Sequence, residues 1–109
     1  MRVNFTARHY KPSERLKEYA TQEVQKLERY YDSIIDCEII LDYQKLHQIA
    51  DIKLIVHGNT LAAIEKSDDI YKSIDLAVTK LERQLKKYKA KMSHFTNEKI
   101  INNITENVL

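Results

Sequence analysis

The sequence predicts an α+β domain of element order β-α-β-β-β-α, with two helices packed on one face of a four-stranded mixed sheet. Two patterns support this class. Short runs near the start and in the middle of the chain alternate apolar and polar residues, as half-buried strands do, whereas two longer stretches repeat apolar residues every three or four positions, as amphipathic helices do. A chain of 109 residues has room for one core, so the sheet and the helices are expected to share it.

The first strand and the first helix are predicted from the first third of the chain. Val3, Phe5 and Ala7 alternate with polar residues, which indicates a strand with one buried face. From Ser13 to about Tyr31 the apolar residues recur with helical spacing. Ser13 directly follows a proline and is a favourable N-cap, so we expect the helix to begin there.

Three further strands are predicted to follow as an antiparallel meander. The first two alternate strictly, and we assign their buried faces to Ile35, Cys37, Ile39, Leu41 and Tyr43 and to Ala50, Ile52, Leu54 and Val56. The polar stretch QKLHQ should join them. The pair Gly58-Asn59 should form a tight turn with positive φ angles before a last strand from Thr60 to Lys66. A crossover through the first helix would make the first two strands parallel.

The second helix is predicted from about Asp69 to Lys91. Any of the three polar residues Ser-Asp-Asp at its start could cap it. Beyond residue 92 the periodicity fades into a polar, asparagine-rich segment, so we assign residues 1–92 to the domain and residues 93–109 to a flexible C-terminal tail. The apolar stripe of the helix consists of Ile70, Ile74, Ala77, Val78, Leu81, Leu85 and Tyr88.

Composition excludes several classes of protein. No apolar run approaches the roughly 20 residues of a membrane-spanning helix, and the first residues lack the apolar core of a signal peptide, so we expect a cytoplasmic protein without membrane contact. The lone Cys37 has no partner for an internal disulfide and is expected to be a small buried hydrophobe. The four histidines show no metal-ligand spacing. We therefore predict no metal and no cofactor.

Enzymatic motifs are also missing from the sequence. A single glycine is too few for the phosphate-cradling loops that need several. The carboxylate pairs Asp68-Asp69 and Asp36/Glu38 are the candidates for acid–base chemistry. We expect the first pair to cap the second helix and the second pair to lie on an exposed strand without a histidine partner. The sequence therefore predicts a protein that is not an enzyme.

The stretch KLERQLKKYKAK, residues 80–91, carries six basic side chains and one acidic one, although the net charge of the chain is only +2. On a helical wheel of about 100° per residue, the basic residues collect on the side away from the core: Lys72, Lys80, Arg83, Lys87 and Lys91. Asp75 and Glu82 fall on the other flank, where Glu82 can pair with Lys86. A weaker basic flank on the first helix consists of Arg15, Lys26 and Arg29.

The outward face of the sheet is expected to lean acidic and to lack stacking aromatics, with Asp36, Glu38, Asp42 and Asp51 set against Lys53 and Arg8. A domain that reads RNA bases on its sheet needs the opposite surface. Binding to nucleic acid would therefore use the helical side and the phosphate backbone. Charge alone leaves open an ordinary solvated surface, because basic residues also complement the negative end of a helix dipole.

Residues 68–91, DDIYKSIDLAVTKLERQLKKYKAK, strongly resemble the second-helix signature of the ribosome hibernation promoting factor and ribosome-associated inhibitor A family, approximately D-M-Y-x-x-I-D-x-x-x-x-K-L-x-R-Q-L-x-K-x-K. The end of the first helix, KLERYYD, is similar to the K-L-E-x-Y-F segment of that family. The resemblance extends from residue 1 to about residue 92. The residues that match the signature are Asp69, Tyr71, Ile74, Asp75, Lys80, Leu81, Arg83, Gln84, Leu85, Lys87 and Lys89.

The resemblance implies a fold similar in outline to a double-stranded-RNA-binding domain. It also implies binding to the small ribosomal subunit between head and body, in the channel of mRNA and tRNA, and inhibition of translation by occupancy when growth slows. Contacts to ribosomal RNA would come from Lys80, Arg83, Lys87 and Lys91, with Lys72 and Lys86 at the margins. Facing contacts would come from Lys26, Arg29 and Arg15, and Arg8 at the end of the first strand would add one more.

The chain resembles the short form of the family, because its sequence contains no second, dimerising domain of the kind that the long form carries. Some short forms promote ribosome dimers together with a second factor, while others with an acidic tail favour inactive single ribosomes, and the weakly charged tail leaves both behaviours open. We expect the free protein to be a monomer. The alternative function is that of a basic α+β interaction module that binds double-stranded RNA or an acidic protein partner.

Overall fold

The computed structural model describes the backbone of residues 1–108 and the side chains of residues 1–92. Within this part of the chain the strands form one sheet of order β1-β2-β3-β4, with β1 parallel to β2 and the other neighbours antiparallel. The predicted α+β fold and its element order are confirmed. The elements are β1 Arg2–Arg8, α1 Glu14–Gln25, a 3-10 helix Lys26–Arg29, β2 Ile34–Gln44, β3 His47–Val56, β4 Asn59–Ser67 and α2 Ile70–Val108.

The hydrophobic core lies between one face of the sheet and the two helices. Each buried leucine or isoleucine stabilises the fold by about 1.5–3 kcal/mol relative to an exposed one. Cys37 belongs to this core, as predicted, and burial raises the pKa of its thiol to about 12. Fully buried side chains come from every layer: Val24 and Leu27 from the α1 region, Ile39, Leu41, Ile52 and Leu54 from the sheet, and Ile74, Leu81 and Leu85 from α2.

Both helices begin at the capping residues expected from the sequence. The Ser13 hydroxyl accepts a hydrogen bond from the backbone N–H of Leu16 at 3.1 Å. At the start of α2 the Asp69 carboxylate accepts from the N–H of Tyr71 at 2.9 Å. Each contact satisfies a backbone donor that the first turn leaves unpaired and thereby sets where the helix starts.

The ends of the helices differ from the prediction. The α-helical part of α1 stops at Gln25, and the chain tightens into the 3-10 helix, in which the Tyr30 N–H donates to the Leu27 carbonyl at 3.0 Å. Such a last turn is common at a helix C-terminus. The backbone of α2 continues to Val108, beyond the predicted end at Lys91. The side chains of residues 93–109 lie outside the described part, so the division at residue 92 and the flexible tail stay predictions.

A bulge corrects the predicted buried face of β2. The register with β3 shifts between Ile34 and Asp36, so Ile34 turns inward and is only 4% exposed. Ile35, predicted to be buried, is therefore 52% exposed. Tyr43, also predicted to be buried, is 39% exposed because it pairs with Gln48 beside the hairpin tip, beyond the last buried residues of the two strands.

The first hairpin turn is tighter than predicted, and the second is shifted by one residue. β2 and β3 are joined by Lys45 and Leu46 alone, both with positive φ angles of 49° and 69°, whereas a five-residue connection was predicted. This left-handed backbone matches the twist of a two-residue hairpin, although lysine and leucine suit it poorly. In the second turn Gly58 has φ 75°, as predicted. Asn59 does not share a positive φ and instead begins β4.

The outward face of the sheet is balanced in charge, and the expected acidic lean is wrong. The first and last strands add two cations that the prediction left out, Arg2 and Lys66, so that four basic and four acidic residues share the face. Arg2 binds Asp36 with an Nε to Oδ1 distance of 3.0 Å. The Asp42 carboxylate is hydrogen-bonded to His9, which lowers the pKa of Asp42.

We predict that replacing Lys45-Leu46 by Asn-Gly stabilises the protein by about 1 kcal/mol, because asparagine and glycine adopt positive φ angles at lower cost. Urea denaturation measures the change in the free energy of unfolding. Leu46→Ala is the control: it keeps the left-handed backbone and removes a side chain that is 80% exposed, so an effect as large as that of Asn-Gly would contradict the backbone explanation.

Gly58→Ala should destabilise the protein by about 1–2 kcal/mol, since the added Cβ meets no atom within 4 Å and only backbone strain opposes it. Urea denaturation also measures this change.

Candidate nucleic-acid interface

The packing of α2 decides which of its basic side chains point to solvent. Its buried residues face β3, β4 and α1, so the side chains opposite to them point to solvent. All ten basic residues predicted to form the site are exposed. Six of the ten lie on α2: Lys72, Lys80, Arg83, Lys86, Lys87 and Lys91.

The flank of α2 that faces β4 is tethered to this edge strand. Lys80 Nζ binds the Glu65 carboxylate at 2.6 Å, and the Gln84 amide donates to the Ala62 carbonyl at 2.8 Å. The Lys80 charge is therefore partly compensated by an acid from a different element, which a wheel of α2 alone could not reveal. The remaining exposed cations of the outward side, Lys72, Arg83, Lys87 and Lys91, are called the outer basic arc below.

The opposite flank of α2 faces α1 and contains the acidic residues, as the wheel predicts. The Tyr19 hydroxyl donates to Asp75 at 2.5 Å, and this contact raises the pKa of Tyr19 well above its ordinary value. Lys86 binds Glu82 at 3.2 Å, the predicted pair four residues apart, and its ammonium group lies 5.0 Å from the centre of the Tyr30 ring. The carboxylates between the helices are thus engaged by neighbouring side chains.

The Glu82 carboxylate lies in the groove between the two helices. Its hydrogen bond with the Tyr30 hydroxyl and, after that, its contact with Lys86 hold the pKa of Glu82 below its usual value. The same hydrogen bond is the main cause of the raised pKa of Tyr30. α2 and the residue after the 3-10 helix therefore form one small network, Tyr30, Glu82 and Lys86, that holds the Lys86 charge close to a partner.

The α1 side contributes fewer available cations. Lys26, in the 3-10 helix, binds Glu23 at 2.7 Å. Arg15 and Arg29 are exposed and form no ion pair within the described side chains, as is also true of the outer basic arc. Arg8 lies on the sheet face opposite to the helices, in register with Asp42, so the structure does not bring it together with the other nine.

The contacts that select the available cations were missed at the level of sequence. Glu65 and the tyrosine partners Tyr19 and Tyr30 belong to parts of the chain other than α2, and their positions depend on how the layers pack. Two of the contacts had a visible signal, because residues three or four apart on a helix are neighbours: the predicted pair Glu82–Lys86, and the pair Glu23–Lys26, which the prediction did not include.

The carboxylate pairs considered for catalysis have structural contacts. Asp69 caps α2, Asp36 binds Arg2, and Glu38 lies opposite Lys53 in the sheet. Among the described residues no group of three or more His, Cys, Asp or Glu side chains is arranged to hold a metal ion. Neither helix, over its described residues, is long and apolar enough to cross a membrane.

Fold and site together define a class: an α+β domain whose helical side carries exposed cations, most of which have no ion pair within the described side chains. Comparison with known families identifies the family within this class. The family described as sigma 54 modulation protein / S30EA ribosomal protein matches residues 3–93. This is most of the chain, and the protein therefore belongs to that family.

Individual relatives agree with this assignment. The chain is 32% identical over 91 residues to a ribosome hibernation promoting factor of Pseudomonas putida, covering 84% of this chain and 89% of that protein. It superimposes with a TM-score of 0.78 on a ribosomal subunit interface protein from Coxiella burnetii, at 36% identity, over 83% of this chain and 99% of the other. The N-terminal domain of Thermus thermophilus Protein Y gives a TM-score of 0.75 at 25% identity, over 81% and 99% of the two chains.

We predict that Tyr30→Phe raises the pKa of Glu82 toward its ordinary value, because it removes the main hydrogen bond to the carboxylate. A group with a lowered folded-state pKa stabilises the fold above its unfolded-state pKa, and this contribution is lost as the pH falls through the folded value. Tyr30→Phe should therefore reduce the acid sensitivity of stability below about pH 4.5. NMR titration of the Glu82 carboxyl carbon measures the shift.

Tyr31→Phe is the matched control, because Tyr31 is the next residue and pairs with Tyr88 at a ring distance of 5.3 Å rather than with Glu82. An unchanged Glu82 titration in Tyr30→Phe, or an equal change in Tyr31→Phe, would contradict the assigned network.

Proposed function

We propose that this protein is a ribosome hibernation factor that binds the small ribosomal subunit in the mRNA/tRNA channel through its basic helical face and inhibits translation under slow growth or stress. Family membership supports the ribosome as partner, since a relative that shares most of the chain is named a ribosome hibernation promoting factor. The observation that carries the choice of surface is the outer basic arc, which is exposed and has no ion pair within the described side chains.

Binding by this face would rely on phosphate contacts. Arginine and lysine side chains that neutralise phosphates release condensed counterions, which makes the affinity large at low salt and weak at high salt. Six of the predicted site residues lie on the helical side and have no carboxylate partner among the described side chains, so they would make the direct contacts: Lys72, Arg83, Lys87, Lys91, Arg15 and Arg29. Inhibition then needs no bond-making step, because an occupied channel excludes mRNA and tRNA.

The paired cations would contribute less. Lys80, Lys86 and Lys26 each hold a carboxylate, so a phosphate must displace Glu65, Glu82 or Glu23, or share the cation with it. An exposed ion pair is weak enough for such exchange, typically 0–1 kcal/mol. Arg8 would be peripheral, because it extends from the opposite face of the sheet. This ranks the ten residues into six direct contacts, three exchangeable ones and one peripheral one.

The salt dependence of binding to purified small subunits tests the phosphate mechanism. Five or six phosphate contacts predict a slope of log affinity against log salt of about −4 to −5, with affinity falling on the order of a thousandfold between ~50 and ~200 mM. Co-sedimentation at increasing salt measures the slope. Absence of binding at low salt would refute the proposal, and a preference for isolated duplex RNA over subunits would favour the alternative interaction module.

Charge reversal tests the surface itself. Arg83→Glu combined with Lys87→Glu should weaken subunit binding about a hundredfold or more, because two charge-assisted contacts worth about 1.5 kcal/mol each are lost. The matched control is Lys53→Glu combined with Lys66→Glu, which makes the same change in net charge on the outward face of the sheet. Equal weakening by both double variants would show that net charge alone governs binding and would exclude a contact through the helices.

A further inference from the structure

The N-terminal end of the groove between α1 and α2 contains a tyrosine pair. The rings of Tyr19 and Tyr71 lie 5.0 Å apart, edge to face at an interplanar angle of 68°. Both side chains are half-buried, and both line a concavity of about 290 Å³ whose other walls are Arg15, Glu18 and Gln22. This is an open aromatic site on the same side of the domain as the cations.

We propose that this concavity, the Tyr19–Tyr71 pocket, holds one unpaired RNA base, stacked against the tyrosine rings. The inference rests on the proposed function, because it assumes that the helical side is the one that meets RNA. It adds a contact of a different kind, since stacking depends on the base and not on the phosphate.

The pocket is held in shape before any ligand binds. The Tyr19 hydroxyl is fixed by its 2.5 Å hydrogen bond to Asp75, across the groove on α2. Tyr71 lies in the first turn of α2, where its own N–H is bound by the capping carboxylate of Asp69. Rings that are already oriented lose little side-chain entropy on binding, which favours stacking of a planar ligand.

The polar groups around the rings suit a base better than a phosphate. Arg15 provides a planar cation that can stack or donate, Gln22 both donates and accepts, and Glu18 accepts from an exocyclic amine. Two carboxylates, Glu18 on the wall and Asp75 behind Tyr19, would repel a phosphate placed in the same position. The exposed Lys72, next to Tyr71 in the chain, is available for the phosphate outside. The pocket would therefore bind the base, while the RNA phosphate stays outside it near Lys72.

The test compares two strands that differ only in their bases. Full-length protein is titrated at low salt with a labelled single-stranded RNA of about ten nucleotides and with an abasic ribose-phosphate strand of equal length, and binding is followed by fluorescence anisotropy. Because a stacked base contributes about 1–3 kcal/mol, the base-bearing strand should bind about 5- to 150-fold more tightly. Equal affinity for the two strands would overturn the proposal without any variant.

Variants test whether the Tyr19–Tyr71 pocket causes the preference for the base-bearing strand. Tyr71→Leu should remove most of it, whereas Tyr71→Phe should keep it because the ring remains. Tyr31→Leu is the control for loss of a packed tyrosine, since it disrupts the separate Tyr31–Tyr88 pair and should leave the preference unchanged. A preference that survives in Tyr71→Leu, or that falls equally in Tyr31→Leu, would place the base elsewhere and refute the pocket.

The stacking site and the proposed ribosomal function can each be refuted without the other. The double variant Arg83→Glu, Lys87→Glu should weaken both strands alike and leave their ratio intact. Binding to small subunits without a preference for the base-bearing strand would refute the stacking site alone. A tyrosine-dependent preference without binding to subunits would refute the ribosomal function alone.

Discussion

The apolar stripe of α2 packs against β3, β4 and α1, and this contact positions the six candidate cations that lie on α2. Ile74, Leu81 and Leu85 are fully buried in it. Since successive residues on a helix are about 100° apart, burying these three fixes the direction of the rest. Arg83 and Lys87 point outward because Leu81 and Leu85 point inward. A polar substitution in the stripe would therefore disturb the candidate interface even though no basic residue had changed.

Packing also decides which charges stay available. α2 meets an acid from the neighbouring strand, Glu65, and presents its own acids, Asp75 and Glu82, to tyrosines of the α1 region. These contacts draw Lys80 and Lys86 toward carboxylates and leave the outer basic arc without them. The result is a surface of two kinds. An outward arc suits phosphates, and a groove with aromatic rings and compensated carboxylates suits a less charged ligand.

The proposed contacts would hold the domain on RNA without reading the sequence of that RNA. Phosphate contacts position a protein but carry no sequence information, and stacking on tyrosine accepts any base. On the proposed function, selectivity for one site on the ribosome would come from the spacing of cations on a rigid helix and not from base readout. The outward face of the sheet, with four acids and four bases, adds no net charge to that task.

The sequence by itself determined the order of the elements, the cap at Ser13, a cap for α2 among residues 67–69, the buried stripe of α2 and the outward direction of Arg83 and Lys87. All of these depend on local periodicity or on residues within one turn of each other. Only the tertiary structure decided the bulge at Ile35, the left-handed turn at Lys45-Leu46, the pairing of Lys80 with Glu65 and the meeting of Tyr19 with Tyr71. Each of these depends on groups brought together from different elements or on a register set by the neighbouring strand, and spacing along a single element carries no information about either.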